Sequence, residues 1–233
     1  ITGKTVVIKY GGSAMVDEKL RADVMSDIVL LSLVGIHVVV VHGGGPEIGH
    51  MLEKVGKQSR FVDGLRYTDE ETMDIVQQVL CGKVNKHLVS IINNLGGKAI
   101  GLCGLDGALF QAKKLDEKYG LVGKIVKVAP QVVNDALSCG YIPVISTVAL
   151  GIDNDTAYNI NADTAAAAIA IALHAEKFVS MTDIVGLLYD KDDESTLIPE
   201  GEVSEIEGYK AAGVIAGGML PKIEGMADAI YQG

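Results

Sequence analysis

The run HVVVVH at residues 37–42 is apolar at each position between its two histidines, so both faces of a strand formed there would be apolar. A strand with two apolar faces is typical of a parallel sheet, in which helices cover both sides. Short apolar runs recur at residues 5–10, 37–42, 98–102, 141–147 and 177–183. Helical patterns separate them at residues 17–34, 46–55, 69–95, 130–138 and 162–174. This alternation predicts an α/β fold with a mostly parallel sheet.

Residues 108–128 break the alternation. Two strand-like stretches, ALFQAKKL and LVGKIVKV, flank the polar turn DEKYG. That pattern predicts an antiparallel β-hairpin inserted into the α/β domain. No internal repeat, low-complexity tract or clear linker divides the 233 residues, so a single domain is expected.

The helix predicted at residues 69–95 has one apolar face. Apolar side chains recur there at helical spacing, at Met73, Val76, Leu80, Val84, Leu88 and either Ile91 or Ile92. The TDEE segment at its start places Thr68 and Glu71 for a capping box. The same apolar face would lie in the core or at an interface.

Composition limits the classes of partner. Acidic side chains outnumber basic ones by 30 to 20, and the formal net charge of −10 argues against a general nucleic-acid or anionic-membrane surface. No apolar run has the length of a membrane span. The cysteines, Cys81, Cys103 and Cys139, lie far apart without metal-ligand spacing, which favours free thiols in a reducing cytoplasm.

The segment VVIKYGGSAM joins the first predicted strand to a pair of glycines. Lys9 lies at the end of that strand, and Gly11 and Gly12 allow a ligand to approach backbone N–H groups closely. A tight turn beside a lysine that reaches solvent is an equally good interpretation of this segment alone.

Three consecutive glycines follow the second predicted strand, in VVVHGGGPEI. Pro46 stands where a first helical turn would begin, and the N–H groups at a helix N-terminus bind anions. The patterns GxxxxGK[ST] and GxGxxG are both absent, so this is neither a P-loop nor a dinucleotide fingerprint. A plain turn rarely uses three glycines in succession, which favours a phosphate or carboxylate site.

Two later segments place polar or charged side chains at predicted helix starts. In YNINADTAAAA, Asn159, Asn161 and Asp163 precede an almost wholly apolar helix. Asn161 or Asp163 could simply cap that helix, but a buried carboxylate would need a partner such as a lysine. In AGGMLPK, Lys222 falls in a first helical turn, where it is either an exposed lysine or one directed at a polyanion.

Together these segments favour phosphoryl transfer, which requires positioning and positive charge more than covalent help from the protein. They provide two lysines and two glycine-rich turns without an evident nucleophilic triad. His42 is the best candidate for a general base, although its position at the end of a buried strand makes a structural hydrogen bond the better interpretation.

The segments VIKYGGSAM, HGGGPEI, FVDGLRYTD, NINADTAAAA, MTDIVGLL and GGMLPK occur in this order and spacing. In them the chain resembles the acetylglutamate kinases, a family of the amino acid kinase superfamily, over essentially its whole length. The resemblance implies a three-layer sandwich with a central, mainly parallel sheet between helices. It also implies that residues from 1 to about 175 bind the amino-acid substrate. Residues from about 176 to 233 would begin an ATP-binding part, whose C-terminal end is expected to be missing from this chain.

The implied reaction is ATP-dependent phosphorylation of the γ-carboxylate of N-acetyl-L-glutamate to N-acetyl-L-glutamyl 5-phosphate, the second step of arginine biosynthesis. Mg²⁺ would arrive with ATP and be held mainly by its phosphates, with no dedicated metal site in the protein. A carboxylate is already a nucleophile at neutral pH, so no general base is needed. The resemblance further implies a cytoplasmic homodimer, or a larger homo-oligomer built from dimers.

The resemblance implies catalytic roles for three residues. Lys9 and Lys222 would stabilise the charge that develops as the phosphoryl group moves, and Asp163 would hold both lysines in position. The residues expected to bind ATP are Gly11, Gly12, Asp183, Ile184, Val185, Gly186, Leu187, Leu188, Val214, Ile215 and Ala216.

The amino-acid substrate would be bound by a second set of residues, Gly44, Gly45, Arg66, Asn159 and Asn161. Gly44 and Gly45 would bind the side-chain carboxylate that attacks phosphorus. Arg66 would pair bidentately with the substrate's α-carboxylate; the plain alternative is a surface arginine before a helix cap. Asn159 would anchor the acetylated amino acid, and Asn161 would line the same cavity.

Two other functions remain open. The chain could be a kinase of another small carboxylate or of carbamate, although Arg66 favours a substrate with a free α-carboxylate. It could instead be a non-catalytic ligand sensor on the same fold. A sensor could dispense with the lysines, so the joint presence of Lys9, Asp163 and Lys222 counts against that alternative.

Overall fold

The computed structural model describes residues 2–15, 17–181, 185–217 and 219–232. Within them, strands follow the chain as β1 Thr5–Tyr10, β2 His37–His42, β3 Phe61–Val62, β4 Leu65–Arg66, β5 Ala99–Gly104, β6 Phe110–Lys114, β7 Gly123–Val128, β8 Ile142–Gly151, β9 Ala157–Asn159 and β10 Lys177–Ser180. The α-helices are α1 Glu18–Leu33, α2 Gly45–Lys54, α3 Glu70–Gln77, α4 Asn85–Asn94, α5 Gln131–Ser138, α6 Ala162–Ala172, α7 Ile206–Ala211 and α8 Met219–Gln232. Short 3-10 helices occur at Gly12–Met15, Asp106–Ala108, Glu117–Tyr119, Glu194–Thr196 and Val203–Glu205. None of the described helices is both long and apolar enough to cross a membrane.

The main sheet of the described residues has 8 strands. Strands β10, β1, β2 and β8 are parallel neighbours in that order, and β5 pairs in parallel with β8. The predicted hairpin is the antiparallel pair β6–β7, which joins the sheet through β8. The predicted α/β fold with a mainly parallel sheet and an inserted hairpin is confirmed. β9 and the small β3–β4 hairpin were not predicted.

Side chains of the central strands alternate between two apolar cores, as the pattern HVVVVH predicts. Val38 and Val40 of β2 enter one core, and Val39 and Val41 enter the other. The first core is closed by apolar side chains of α1 and α4, and the second by those of α5 and α6. Helices therefore cover both faces of the sheet, and its carboxyl edge is left for ligands.

The predicted helix over residues 69–95 is not one regular α-helix, which corrects that expectation. A π-helical segment, Gln78–Val84, separates α3 from α4. Its wider turns let Leu80 and Val84 pack against Gly44, where a side chain would lie 2.7 Å from Leu80 Cδ2. A search for a 3.6-residue period does not detect an inserted π turn, because the apolar positions on either side stay buried.

The predicted capping box at Thr68 and Glu71 is wrong. Asp69 is the N-cap residue of α3, and its carboxylate accepts a hydrogen bond of 2.8 Å from Thr72 N–H. Thr68 is buried instead, and its hydroxyl donates to the Arg66 carbonyl at 2.9 Å. Glu71 forms an ion pair with Lys57. Asp69 is favoured over Thr68 as the N-cap residue because its carboxylate caps the helix and also pairs with the charged side chain of Lys57.

Candidate active site

Lys9, Asp163 and Lys222 form one ion cluster at the carboxyl edge of the sheet. Lys9 Nζ lies 3.1 Å from Asp163 Oδ1, and Lys222 Nζ lies 3.4 Å from each oxygen of the same carboxylate. The side chains of Lys9, Asp163 and Lys222 are only 7%, 12% and 20% exposed. The cluster joins the end of β1 to the first turns of α6 and α8, three elements that are distant in the sequence.

The cluster has one carboxylate for two ammonium groups, so it keeps an excess positive charge. Burial lowers the pKa of Lys9 most, the Asp163 carboxylate raises it, and the positive charge of Lys222 lowers it again. An anion that approached Lys9 and Lys222 would neutralise the excess charge in a poorly solvated place, where electrostatic attraction is strong. The arrangement is therefore suited to bind a transferring phosphoryl group.

Gly11 and Gly12 shape the turn beside this cluster. A side chain at Gly11 would place its Cβ 3.1 Å from Lys9 Nζ, so the glycine leaves room for the ammonium group. Gly12 has φ +68°, a backbone conformation that residues other than glycine rarely adopt. Both glycines thus have a structural reason to be there, and their contact with ATP phosphates stays a prediction.

All of the predicted substrate-binding residues line one cavity of about 440 Å³, and they are Gly44, Gly45, Arg66, Asn159 and Asn161. Apolar side chains form much of the remaining wall, among them Ile48, Phe61, Leu65, Leu80, Val122 and Ile160. The ion cluster begins next to this cavity, because Asn161 and Ala162 line it and Asp163 is the following residue.

Arg66 is held rigidly in the cavity wall. Its guanidinium donates to Ser59 Oγ at 2.6 Å and to the Gly45 carbonyl at 2.9 Å, and it stacks over the Phe61 ring at 4.8 Å. Burial lowers the pKa of Arg66, although a guanidinium stays charged at any physiological pH. The fixed fork can receive a carboxylate with little loss of side-chain entropy.

Beside the Arg66 side chain, the start of α2 brings backbone groups to the cavity. Gly44 is the N-cap residue, and Pro46 occupies the first turn. A side chain at Gly45 would meet nothing within 4 Å, so its backbone is open to a ligand. The N–H groups at a helix start and the positive end of the helix dipole attract anions, so this turn is a candidate anion site.

Asn159 and Asn161 are positioned by different contacts. The Asn161 side chain caps α6, because its Oδ1 accepts hydrogen bonds from the N–H groups of Asp163 and Thr164 at 2.9 and 3.1 Å. Asn159 Nδ2 donates to Thr68 Oγ1 at 3.2 Å. Asn161 therefore fixes the helix turn that carries Asp163, whatever it contributes to the ligand.

The inserted hairpin fastens the segment that carries Arg66. Lys118 Nζ and Tyr119 Oη both donate to Asp63 Oδ2 in the β3–β4 turn, at 2.8 and 2.9 Å. Backbone hydrogen bonds join Thr68 to Tyr119 and to Leu121. The hairpin thus orders one wall of the cavity, a role that its sequence pattern did not indicate.

Only part of the predicted nucleotide site lies within the described residues. Asp183 and Ile184 lie outside the described residues. Val185, Gly186, Leu187 and Leu188 follow β10, where Leu187 accepts a backbone hydrogen bond from Ile198 at 2.8 Å. The residues Val214, Ile215 and Ala216 lie between α7 and α8, with Ile215 buried. ATP binding by these residues stays a prediction.

Several residues that line the cavity or support its wall were not predicted. Phe61 stacks on Arg66, Ser59 binds it, and Thr68 holds Asn159. Phe61 is an exposed aromatic residue just before the turn sequence DG, a weak signal for a hairpin. Asn85 was also missed, although a polar side chain on the apolar face of a helix is a detectable signal.

A model of the amino acid kinase family matches residues 4–233. The chain belongs to the amino acid kinase family. Within that family it is 53% identical over 233 residues to the acetylglutamate kinase of Clostridium kluyveri, a match that covers 99% of this chain and 82% of the relative. The acetylglutamate kinase of Actinobacillus pleuropneumoniae serotype 3 is 54% identical over 232 residues, covering 99% of this chain and 80% of the relative.

A solved structure is also similar to this chain. The crystal structure of smu.665 from Streptococcus mutans UA159 has a TM-score of 0.87 and 29% identity, over 98% of this chain and 91% of that chain. The predicted similarity to acetylglutamate kinases of the amino acid kinase superfamily is confirmed.

Proposed function

We propose that the chain transfers the γ-phosphoryl group of ATP to the γ-carboxylate of N-acetyl-L-glutamate, giving ADP and N-acetyl-L-glutamyl 5-phosphate. The observation that supports this most is the single cavity lined by Arg66 and by the glycine turn at Gly44 and Gly45, with the two-lysine cluster beside it. The similarity to named acetylglutamate kinases supports the same reaction, the second step of arginine biosynthesis.

The cavity suits a dicarboxylate with an uncharged amide better than free glutamate. Arg66 would bind the α-carboxylate, and the N–H groups at the start of α2 would bind the γ-carboxylate. The described residues that line the cavity include no aspartate or glutamate. A free α-amino group would therefore lack a carboxylate partner there, whereas an acetylated nitrogen needs none. The apolar wall can pack against the acetyl methyl group.

The reaction needs no general base. A γ-carboxylate oxygen forms the new bond to the γ-phosphorus, and the bond from that phosphorus to the β–γ bridging oxygen breaks, so ADP leaves with that electron pair. Lys9 and Lys222 would interact with the phosphoryl oxygens as this charge shifts. Asp163 would keep both ammonium groups in place without touching the substrate.

Mg²⁺ would be bound through ATP and not through a protein cage. The described residues contain no cluster of three His, Cys, Asp or Glu side chains that could hold a metal ion. Asp163 already contacts both lysines. When bound, the cation would neutralise phosphate charge.

Substituting Arg66 by lysine should raise the KM for N-acetyl-L-glutamate by about tenfold or more, equivalent to about 1.4 kcal/mol. Lysine keeps the charge but loses the fork that receives a carboxylate bidentately. The KM for ATP should not change. Steady-state kinetics with each substrate varied in turn would measure both constants.

Arg60→Lys is the matched control, since Arg60 lies in the same segment and stacks on Tyr67 at 4.6 Å outside the cavity. An equal rise in KM for both variants, or a fall in kcat alone for Arg66→Lys, would contradict the assignment of Arg66 to the α-carboxylate.

The proposed function itself is tested by trapping the acyl phosphate with hydroxylamine. ATP-dependent hydroxamate should form with N-acetyl-L-glutamate and much less with glutamate, aspartate or carbamate. Turnover of another acid alone would identify a different kinase of this superfamily. ATP binding without turnover of any acid would favour the sensor.

Three further proposals rest on the family resemblance. They are assembly as a homodimer or a larger dimer-based oligomer, a cytoplasmic location, and one domain divided near residue 175 into substrate-binding and ATP-binding parts. Light scattering of the purified protein would measure the oligomer.

A further inference from the structure

A buried polar network lies directly beneath the glycine turn of the substrate cavity. His42 Nδ1 is 2.8 Å from the Gly43 carbonyl oxygen, and His42 Nε2 is 3.1 Å from Asn85 Nδ2. Asn85 Nδ2 also lies 2.8 Å from the Val144 carbonyl and 3.2 Å from the Leu102 carbonyl. His42 and Asn85 are 0% and 1% exposed, so water cannot replace these partners.

These contacts determine where the imidazole carries its proton. The Asn85 amide must present its NH₂ group to the carbonyls of Leu102 and Val144, because its oxygen would be repelled by them. The same NH₂ group faces His42 Nε2 at 3.1 Å, and a proton on Nε2 would point at another donor, so Nε2 is the unprotonated, acceptor nitrogen. The proton of neutral His42 is then on Nδ1, from which it is donated to the Gly43 carbonyl. Burial lowers the pKa of His42 to about 4, so the neutral ring is the form present near pH 7.

The bond to Gly43 fixes the orientation of the next peptide N–H. The peptide joining Gly43 to Gly44 is planar and trans, so its N–H points away from its carbonyl. Gly44 lines the substrate cavity, and its N–H donates to no acceptor in the described part of the chain. The hydrogen bond between His42 and the Gly43 carbonyl therefore keeps the Gly44 N–H directed away from His42.

We propose that His42 and Asn85 are positioning residues, which orient the Gly43–Gly44 peptide so that its N–H receives the carboxylate of the amino-acid substrate. This inference rests on the proposed function. Neither residue touches substrate; Asn85, at the first turn of α4, fixes the ring, and the ring fixes the peptide. A buried dyad of this kind would explain why the helix leaves its regular path at the π segment just before Asn85.

Two substitutions of His42 separate its two hydrogen bonds. In His42→Asn, the side-chain NH₂ group is attached to Cγ, as Nδ1 is, and can still donate to Gly43. In His42→Gln, the amide lies one carbon further out. Its oxygen can therefore replace Nε2 and accept from Asn85, while the donor to Gly43 is lost. His37→Gln, at the exposed start of the same strand, is the matched control.

The expected result is a selective effect on the amino-acid substrate. His42→Gln should raise the KM for N-acetyl-L-glutamate by about tenfold or more, with the KM for ATP unchanged, because the turn no longer presents its N–H correctly. His42→Asn should restore most of that loss, and His37→Gln should match the wild type. A fall in kcat with both KM values unchanged in His42→Gln indicates only loss of folded enzyme and overturns the proposal.

A measurement on the unmodified protein keeps the inference testable if the variants fail to fold. Nitrogen-15 NMR of the imidazoles should show His42 neutral, with its proton on Nδ1, from pH 6 to 8. A proton on Nε2 would overturn the proposal. Absence of wild-type turnover with N-acetyl-L-glutamate would count against the proposed function instead, and the NMR result does not depend on turnover.

Discussion

Lys9→Arg lowers kcat for acetylglutamate phosphorylation by about 100-fold to 1,000-fold and changes both KM values far less, if Lys9 acts in the transition state. The substitution keeps the positive charge but moves it. Lys9 is buried, and its ammonium group fills the space left by Gly11, so a longer planar guanidinium does not fit at the same point. A displacement of about 1 Å can cost 100-fold in rate.

Lys4→Arg is the control for this experiment, since Lys4 lies just before the same strand, has a side chain that is 60% exposed and forms an ion pair with Glu176. It should leave kcat unchanged. A kcat for Lys9→Arg within tenfold of the wild type, or a parallel rise in the KM for ATP, would mean that Lys9 serves ground-state binding.

Asp163→Asn has the second large effect, because it removes the carboxylate between two ammonium groups. Asp163 raises the pKa of Lys9, whereas burial and Lys222 lower it. Without the carboxylate the Lys9 pKa falls further, and less of the charged form is present at neutral pH. We expect kcat to fall by about 100-fold or more near pH 7. The alkaline limb of the pH–rate profile should move to lower pH.

Stability of Asp163→Asn should change with pH in the opposite sense to activity. Removing one partner of a buried ion pair costs about 3–5 kcal/mol. At a pH below the pKa of Lys9 in the folded protein, Lys9 is charged in both the folded and the unfolded chain. The full cost of removing its ion-pair partner then applies. Between the folded pKa and the usual value of 10.5, the unfolded chain binds more protons, so the free energy of unfolding rises with pH.

Urea denaturation at several pH values, beside pH–rate profiles, would measure both trends. Asp23→Asn, on the exposed face of α1, is the control and should follow the wild type in each. If the alkaline limb of Asp163→Asn coincided with that of the wild type, Asp163 would not be setting the charge of Lys9.

The strands were predictable because their signal is local. β1 and β2 have the predicted bounds, since short runs rich in β-branched side chains, such as HVVVVH, favour a strand that is buried on both faces. The π segment was not predictable from periodicity. Its position depends on Asn85 reaching carbonyls of β5 and β8, contacts that exist only in the folded chain. β9 and the β3–β4 hairpin are too short to show a period.

Parts of the candidate active site were likewise predictable from the sequence, and other parts depend on tertiary packing. The need of a buried Asp163 for a lysine partner could be argued from the residues, but which lysines it meets depends on how β1 and α8 pack against α6. The apolar and polar contacts that hold Arg66 come from Phe61 and Ser59, on a segment without a strong pattern. The inserted hairpin was predicted as an element, while its bonds to Asp63 depend on tertiary packing.

In the proposed reaction the γ-carboxylate of N-acetyl-L-glutamate attacks the γ-phosphorus of ATP. This step is tested with N-acetyl-L-glutamate labelled with oxygen-18 at both oxygens of its γ-carboxylate, supplied with ATP and hydroxylamine. Hydroxylamine attacks the acyl carbon and releases the bridging oxygen with phosphate. We expect inorganic phosphate that carries one oxygen-18, in amounts equal to the hydroxamate. Unlabelled phosphate would show that water or another group accepts the phosphoryl group, and would exclude attack by the γ-carboxylate.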